Sequence, residues 1–189
     1  MDNIAVLYTS HYGFTARYAD GIAQALSCPL FEQKQWKGRH FRAHLSTFDT
    51  IIYGGGLYAG GVSGLKLFCK MYPLFADKKI ILFTCGLADP GDPANRSHIR
   101  GVIEKTLPPE MYKHAALFHL RGGIDYSRLH MVHKSMMAML RHMLLKRPSQ
   151  ELRSEDRQVL QTYGTFVDFT DLAAIRPLVS YALGEKQNS

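Results

Sequence analysis

Short unbroken apolar runs, separated by stretches with helical period, leave this chain few folds to adopt. Asn3–Thr9 reads as a buried strand through Ile4, Ala5, Val6, Leu7 and Tyr8. A helix is expected over Phe14–Leu26, with Phe14, Tyr18, Ile22 and Ala25 or Leu26 on one stripe. A short strand fits Pro29–Glu32, and Thr50–Gly54 is a further buried strand. Leu65–Phe75 has helical spacing, Lys79–Cys85 is a strand, and Asn95–Leu107 is a helix that Pro108-Pro109 stops. His114–Leu120 is another central strand, followed by a long helix over Ser127–Lys146 and a last helix over Asp168–Leu183. Alternation of this kind builds βαβ units on a parallel sheet. The sequence predicts one doubly wound α/β domain over residues 1–189, a five-stranded parallel sheet in a three-layer α/β/α sandwich.

Composition excludes several alternatives. The chain has 189 residues, 46% hydrophobic and 21% charged, as in soluble globular proteins. No apolar run approaches the ~18 residues of a membrane span, and Met1-Asp2-Asn3-Ile4 lacks a secretory start. A cytoplasmic protein is therefore expected. Cys28, Cys69 and Cys85 are odd in number and lack a C-x-x-C pair, which argues against a disulfide framework or a structural zinc. The net charge of +7 suits an anionic partner, but no helix-turn-helix, zinc-finger or RNA-binding signature points to nucleic acid.

In an open parallel sheet, ligands bind outside the carboxyl ends of the strands, and three unusual loops fall there. The first, Thr9-Ser10-His11-Tyr12-Gly13-Phe14-Thr15, combines hydroxyls, a glycine and a helix start, a cradle for phosphate without lysine. The second, Gly54–Gly64, holds six glycines in eleven residues and offers Tyr58 to cover a flat ligand. The third is Thr84-Cys85-Gly86-Leu87-Ala88. Together they suit one elongated ligand with a phosphate at one end and a ring at the other.

The first loop resembles the flavodoxin phosphate loop, with Gly13 and Thr15 at its glycine and threonine positions and Tyr12 in place of one hydroxyl residue. The single-domain menaquinone-dependent protoporphyrinogen oxidases of the flavodoxin-like family are similar in length. They are also similar in the Gly122-Gly123-Ile124-Asp125-Tyr126 stretch and the methionine-rich basic helix after it. The resemblance implies a flavodoxin-like fold and flavin mononucleotide (FMN) as cofactor. It implies that Thr9, Ser10, His11, Tyr12, Gly13, Phe14 and Thr15 surround the phosphate. Gly55, Gly56, Leu57, Tyr58 and Ala59, with Thr84, Cys85, Gly86, Leu87 and Ala88, would contact the ring.

Two function classes follow: an oxidoreductase acting on a small organic substrate, quinone or partner oxidoreductase, or a pure electron carrier serving a separate reductase. A third reading takes Gly54-x-Gly56-x-x-Ala59 as a dinucleotide fingerprint, although Asp77 precedes the next strand instead of ending it. No nucleophile-elbow, P-loop or zinc-protease motif occurs. His130 and His133 are expected at the surface. The segment 128–147 carries five Lys/Arg, three His and no acid, with Met136, Met139 and Met143 on its apolar arc. Such a helix suits docking on an anionic membrane surface or an acidic partner, or simple packing against the core.

Overall fold

The computed structural model describes residues 3–58 and 60–185. In chain order the elements are β1 (Ile4–Thr9), α1 (Phe14–Leu26), β2 (Leu30–Glu32), α2 (Arg39–Leu45), β3 (Thr50–Tyr58) and β4 (Gly61–Val62). Then come α3 (Leu65–Met71), β5 (Lys79–Gly86), α4 (Pro93–Glu104), α5 (Pro109–His114) and β6 (Ala116–Arg121). The chain ends with β7 (Gly123–Asp125), α6 (Met131–Leu145), α7 (Ser154–Thr162), β8 (Phe166–Asp168) and α8 (Arg176–Ala182).

Strands covered by helices on both faces lose the polar alternation of a half-exposed sheet, which is why β1, β3 and β5 read as continuous apolar runs. Five of them form a parallel sheet in the order β2-β1-β3-β5-β6. Ile4, Val6, Ile52, Ile81 and Phe83 pack with Tyr18 and Ile22 of α1 and Leu178 of α8. On the other face Leu7, Ile51, Tyr53 and Leu82 meet Leu45, Phe68, Ile99 and Ile103 of α2, α3 and α4. This is the expected three-layer sandwich.

Several boundaries differ from the sequence reading. The glycine-rich stretch is not all loop, because β3 runs on to Tyr58 and turns into β4, paired antiparallel to it. Gly54 is required by packing: a Cβ there would lie 2.0 Å from Cζ of Phe83, its partner across the ladder. Since Gly54-x-Gly56 lies within a strand instead of opening a helix, the dinucleotide fingerprint lacks the helix N-terminus it needs. Asp92 caps α4 through the Ala94 amide at 2.8 Å, so that helix starts at Pro93. Pro109, expected to terminate, instead begins α5, where a proline at the first position loses no hydrogen bond. The long helix starts at Met131, after a 3-10 turn over Tyr126–Arg128. Asp168 belongs to β8, and the last α-helix begins only at Arg176.

Gly54→Ala should lower the unfolding free energy in urea titrations by about 1–3 kcal/mol through overpacking against Phe83. Gly101→Ala, inside α4, where among the described residues nothing beyond its chain neighbours and its own helix backbone lies within 4 Å of the added Cβ, should raise it by about 0.5–1 kcal/mol.

Candidate functional site

The chain leaves β1 for β2 on one side and later returns to β3 on the other, so the strand order reverses at β1. The register sets Thr9 beside Gly55 and Gly56 beside Cys85, bringing all three expected loops to one edge. There Gly13, at φ +95°, takes a left-handed conformation that turns the chain into α1. Its amide donates to Ser10 Oγ at 3.1 Å. The first-turn amides of α1, from Phe14 to Ala16, have no acceptor within the helix.

An inner cavity of about 180 Å³ opens at this edge, lined by Ser10, His11, Tyr12, Phe14 and Thr15 from the first loop. Leu57, Tyr58, Cys85, Gly86 and Leu87 line it from the ends of β3 and β5. A second cavity of about 330 Å³ shares Leu57, Tyr58, Leu87, Leu140 and Val159 with it and includes Ala88. Small-ligand sites span about 300–1,000 Å³, so the inner cavity alone is too small for a cofactor and the contiguous pair reaches that range. Among the described residues no carboxylate lines the inner one, whereas Glu155 and Asp156, with Arg153 and His98, line the second. Burial pushes the Cys85 thiol up to about 12, despite a hydrogen bond with Thr15 that acts against the shift. Cys85 is therefore a neutral wall. Burial also raises the Tyr58 hydroxyl, keeping it protonated.

The other expected residues stand elsewhere. Thr9 directs its hydroxyl to Gln33 Oε1 at 3.1 Å and lines a neighbouring cleft. Gly55 and Gly56 sit under Val62 and Tyr58 without lining the cavity, and Ala59 lies outside the described residues.

Sequence reasoning missed the cap over this edge. Between β6 and α8 the chain makes an excursion through β7, α6, α7 and β8, and β7 and β8 pair antiparallel. From it Gly123, Ile124, Met137, Leu140 and Val159 line the inner cavity. His133, expected at the surface, is half-buried. The Tyr12 hydroxyl accepts from the His130 amide at 3.3 Å and hydrogen-bonds His133 Nδ1 at 2.5 Å. Tyr58 stacks on the His133 ring at a centroid distance of 5.5 Å. The tyrosine that departs from the expected loop pattern thus holds α6 over the site. Its only signal in the sequence was that departure. Elsewhere the cap is tied down by Arg17 to Asp168 at 2.5 Å and by the Ser154 hydroxyl donating to Asp92.

The Flavodoxin domain family matches residues 5–151, and the chain belongs to that family. FMN is the cofactor of such domains, and the donor set here fits it: hydroxyls and helix-start amides for a phosphate, apolar walls for a ring. A flavodoxin, WrbA-like protein from Agrobacterium tumefaciens is 20% identical, over 98% of this chain and 100% of its own, at a TM-score of 0.47. The Trp repressor binding protein from Bacillus subtilis is 15% identical, over 63% of this chain and 83% of its own, at 0.47. A flavoprotein from Lactobacillus acidophilus, solved in complex with FMN, is 11% identical over 64% and 93%, at 0.44. No curated protein matches the chain.

Thr84 faces away from the cavity, hydrogen-bonded to His119 Nδ1 at 2.9 Å. His119 Nε2 is buried without a partner among the described residues. Burial, then the charges of Arg100 and Arg96, lowers its pKa from 6.5 to about 4. The unfolded chain therefore binds a proton that the folded chain refuses between those values, so stability rises with pH across that window and is lost as pH falls through it. Unfolding midpoints should drop as pH is lowered from 6.5 toward about 4, and His119→Gln should flatten that dependence.

Proposed function

We propose that this protein is an FMN-dependent redox protein that exchanges electrons with a small apolar organic substrate or quinone. The observation that carries this reading is an apolar cavity of about 370 Å³ on the far side of Tyr58, lined by Leu129, Met136, Met137, Met139, Leu140 and Met143. Tyr58, Ile124, Met137 and Leu140 line both cavities, and His133 lines the outer one, so a small outer ligand would lie against the wall of the inner site. Methionine walls adapt to flat organic rings at little packing cost.

The residues divide the work. Ser10, Thr15 and the α1 start hold the phosphate with neutral donors and the helix dipole. Leu57, Leu87 and Cys85 exclude water from the ring, and Tyr58 covers it. FMN, when bound, supplies the electron chemistry, and the protein supplies orientation and access. The pure carrier remains the alternative for a chain that reduces stoichiometrically without turning over any organic acceptor. Adding FMN to apoprotein should quench flavin fluorescence at one per chain. Thr15→Val should weaken binding by about 1–3 kcal/mol, the worth of a hydrogen bond to a charged group. Absence of quenching at micromolar FMN would overturn the reading.

The same cavity opens onto an exposed face of α6, where Met131 is 77%, Val132 69% and Met139 63% accessible. Lys134 and Arg141 lie on the same helix. Apolar side chains beside cations suit the surface of an anionic bilayer, where an apolar electron acceptor would reside. No helix of the described residues is long and apolar enough to cross a membrane. In flotation with anionic vesicles, wild type should bind and Lys134→Glu/Arg141→Glu should not, while FMN affinity stays unchanged. Retained vesicle binding by the double variant would limit the helix to packing over the site.

A further inference from the structure

A cleft lies on the other side of the phosphate loop, and beyond the shared Ser10 and His11 its residues are not used in the flavin reading. It has a volume of about 890 Å³ and is bounded by Thr9, Ser10 and His11 at the end of β1 and by the chain from Glu32 to Arg42. It meets the inner cavity at Ser10 and His11. Four cations line it: Lys34, Lys37, Arg39 and Arg42. Lys34 pairs with Glu32 at 2.5 Å. Among the described residues, Lys37, Arg39 and Arg42 have no carboxylate within ion-pair distance, so the cleft keeps a net positive charge.

Two neighbours give the cleft shape as well as charge. Trp36 is buried in its wall, held by its indole N–H donating to the Phe31 carbonyl at 3.2 Å. Leu67 of α3 is exposed on the opposite rim. Concavity, a fixed aromatic edge, an exposed leucine and unpaired guanidinium groups match a small molecule with an apolar base and an anionic tail. They do not match a flat protein surface. Arginine forks bind phosphate oxygens in pairs.

We infer that this cleft binds the adenosine diphosphate moiety of a nucleotide, with Lys37, Arg39 and Arg42 on the phosphates. The cleft stands on its own residues, and only its redox meaning rests on the flavin reading. Because it joins the phosphate loop at Ser10, two sources share this chemistry. One is the adenylate half of FAD bound in place of FMN, and the other is a separate adenine dinucleotide that reduces the bound flavin.

The test is calorimetric titration of ADP into apoprotein and into FMN-loaded protein. Wild type and Arg39→Glu/Arg42→Glu are compared, and FMN quenching is measured in parallel. ADP should bind wild type, more weakly at high salt, and the double variant should lose affinity about tenfold or more while FMN quenching stays unchanged. Arg39→Ala/Arg42→Ala provides a milder variant, with FMN quenching as its control for folding. FAD bound more tightly than FMN by wild type, with the preference lost in the variant, places the cofactor's own adenylate in the cleft. ADP binding to the FMN-loaded form, with no preference for FAD, places a separate dinucleotide there. No ADP binding to either form at millimolar concentration, or equal binding by wild type and both variants, overturns the proposal. Loss of FMN quenching with ADP binding retained would instead remove the flavin reading alone.

Discussion

The parallel ladder between β1 and β3 is the constraint on which everything else rests. Ile4 pairs with Thr50 and the register continues to Thr9 beside Gly55. β1 sends one crossover to β2 and has β3 on its other flank, so the two chain directions diverge at its carboxyl end. A crevice is left wherever successive crossovers part in this way. The crevice is here the common boundary of the β1–α1 loop, the end of β3 and the basic cleft. Burial on both faces fixes the register, because a one-residue slip would send Ile51 and Ile52 to opposite layers.

Sheet and cap differ in what holds them together. The sheet layers are joined by fully buried aliphatic and aromatic side chains such as Phe83, Ile52 and Phe68. The cap over the site is joined by Tyr12 to His133, Arg17 to Asp168, Ser154 to Asp92 and a small cluster of Tyr12, Tyr126 and Leu129. Exposed ion pairs of this sort contribute little, about 0–1 kcal/mol each. Of these ties only Arg17 to Asp168 is such a pair; the others are hydrogen bonds and a small buried cluster. Its inner wall of Met137 and Leu140 is apolar and adaptable, and its outer face leaves Met131 and Val132 in solvent. The sheet sets the loops, and the cap closes over them.

Local sequence determined the strands, the helix over Phe14–Leu26 and the gathering of three loops at one edge, since apolar runs, helical period and turn residues act over a few positions. It also picked out Ser10, Thr15, Leu57, Tyr58 and Leu87, which the structure brings to the wall of one cavity. Gly54 showed the limit of this reasoning: its role is to admit the Phe83 ring, a neighbour separated by a whole βαβ unit. The turn of Thr84 toward His119 is another such case, because which face of a strand looks into a cavity depends on the layer that covers it.

Only the tertiary structure decided the cap, the hydrogen bond between Tyr12 and His133, and the convergence of Lys37, Arg39 and Arg42 beside Ser10. In sequence these residues are separate polar or aromatic positions with no period. Their meaning comes from chain excursions that fold back across the sheet edge, and such long-range contacts leave no local pattern to read. The alternation of apolar strands and helices dictated the scaffold. The packing of two irregular segments against its open edge made the site.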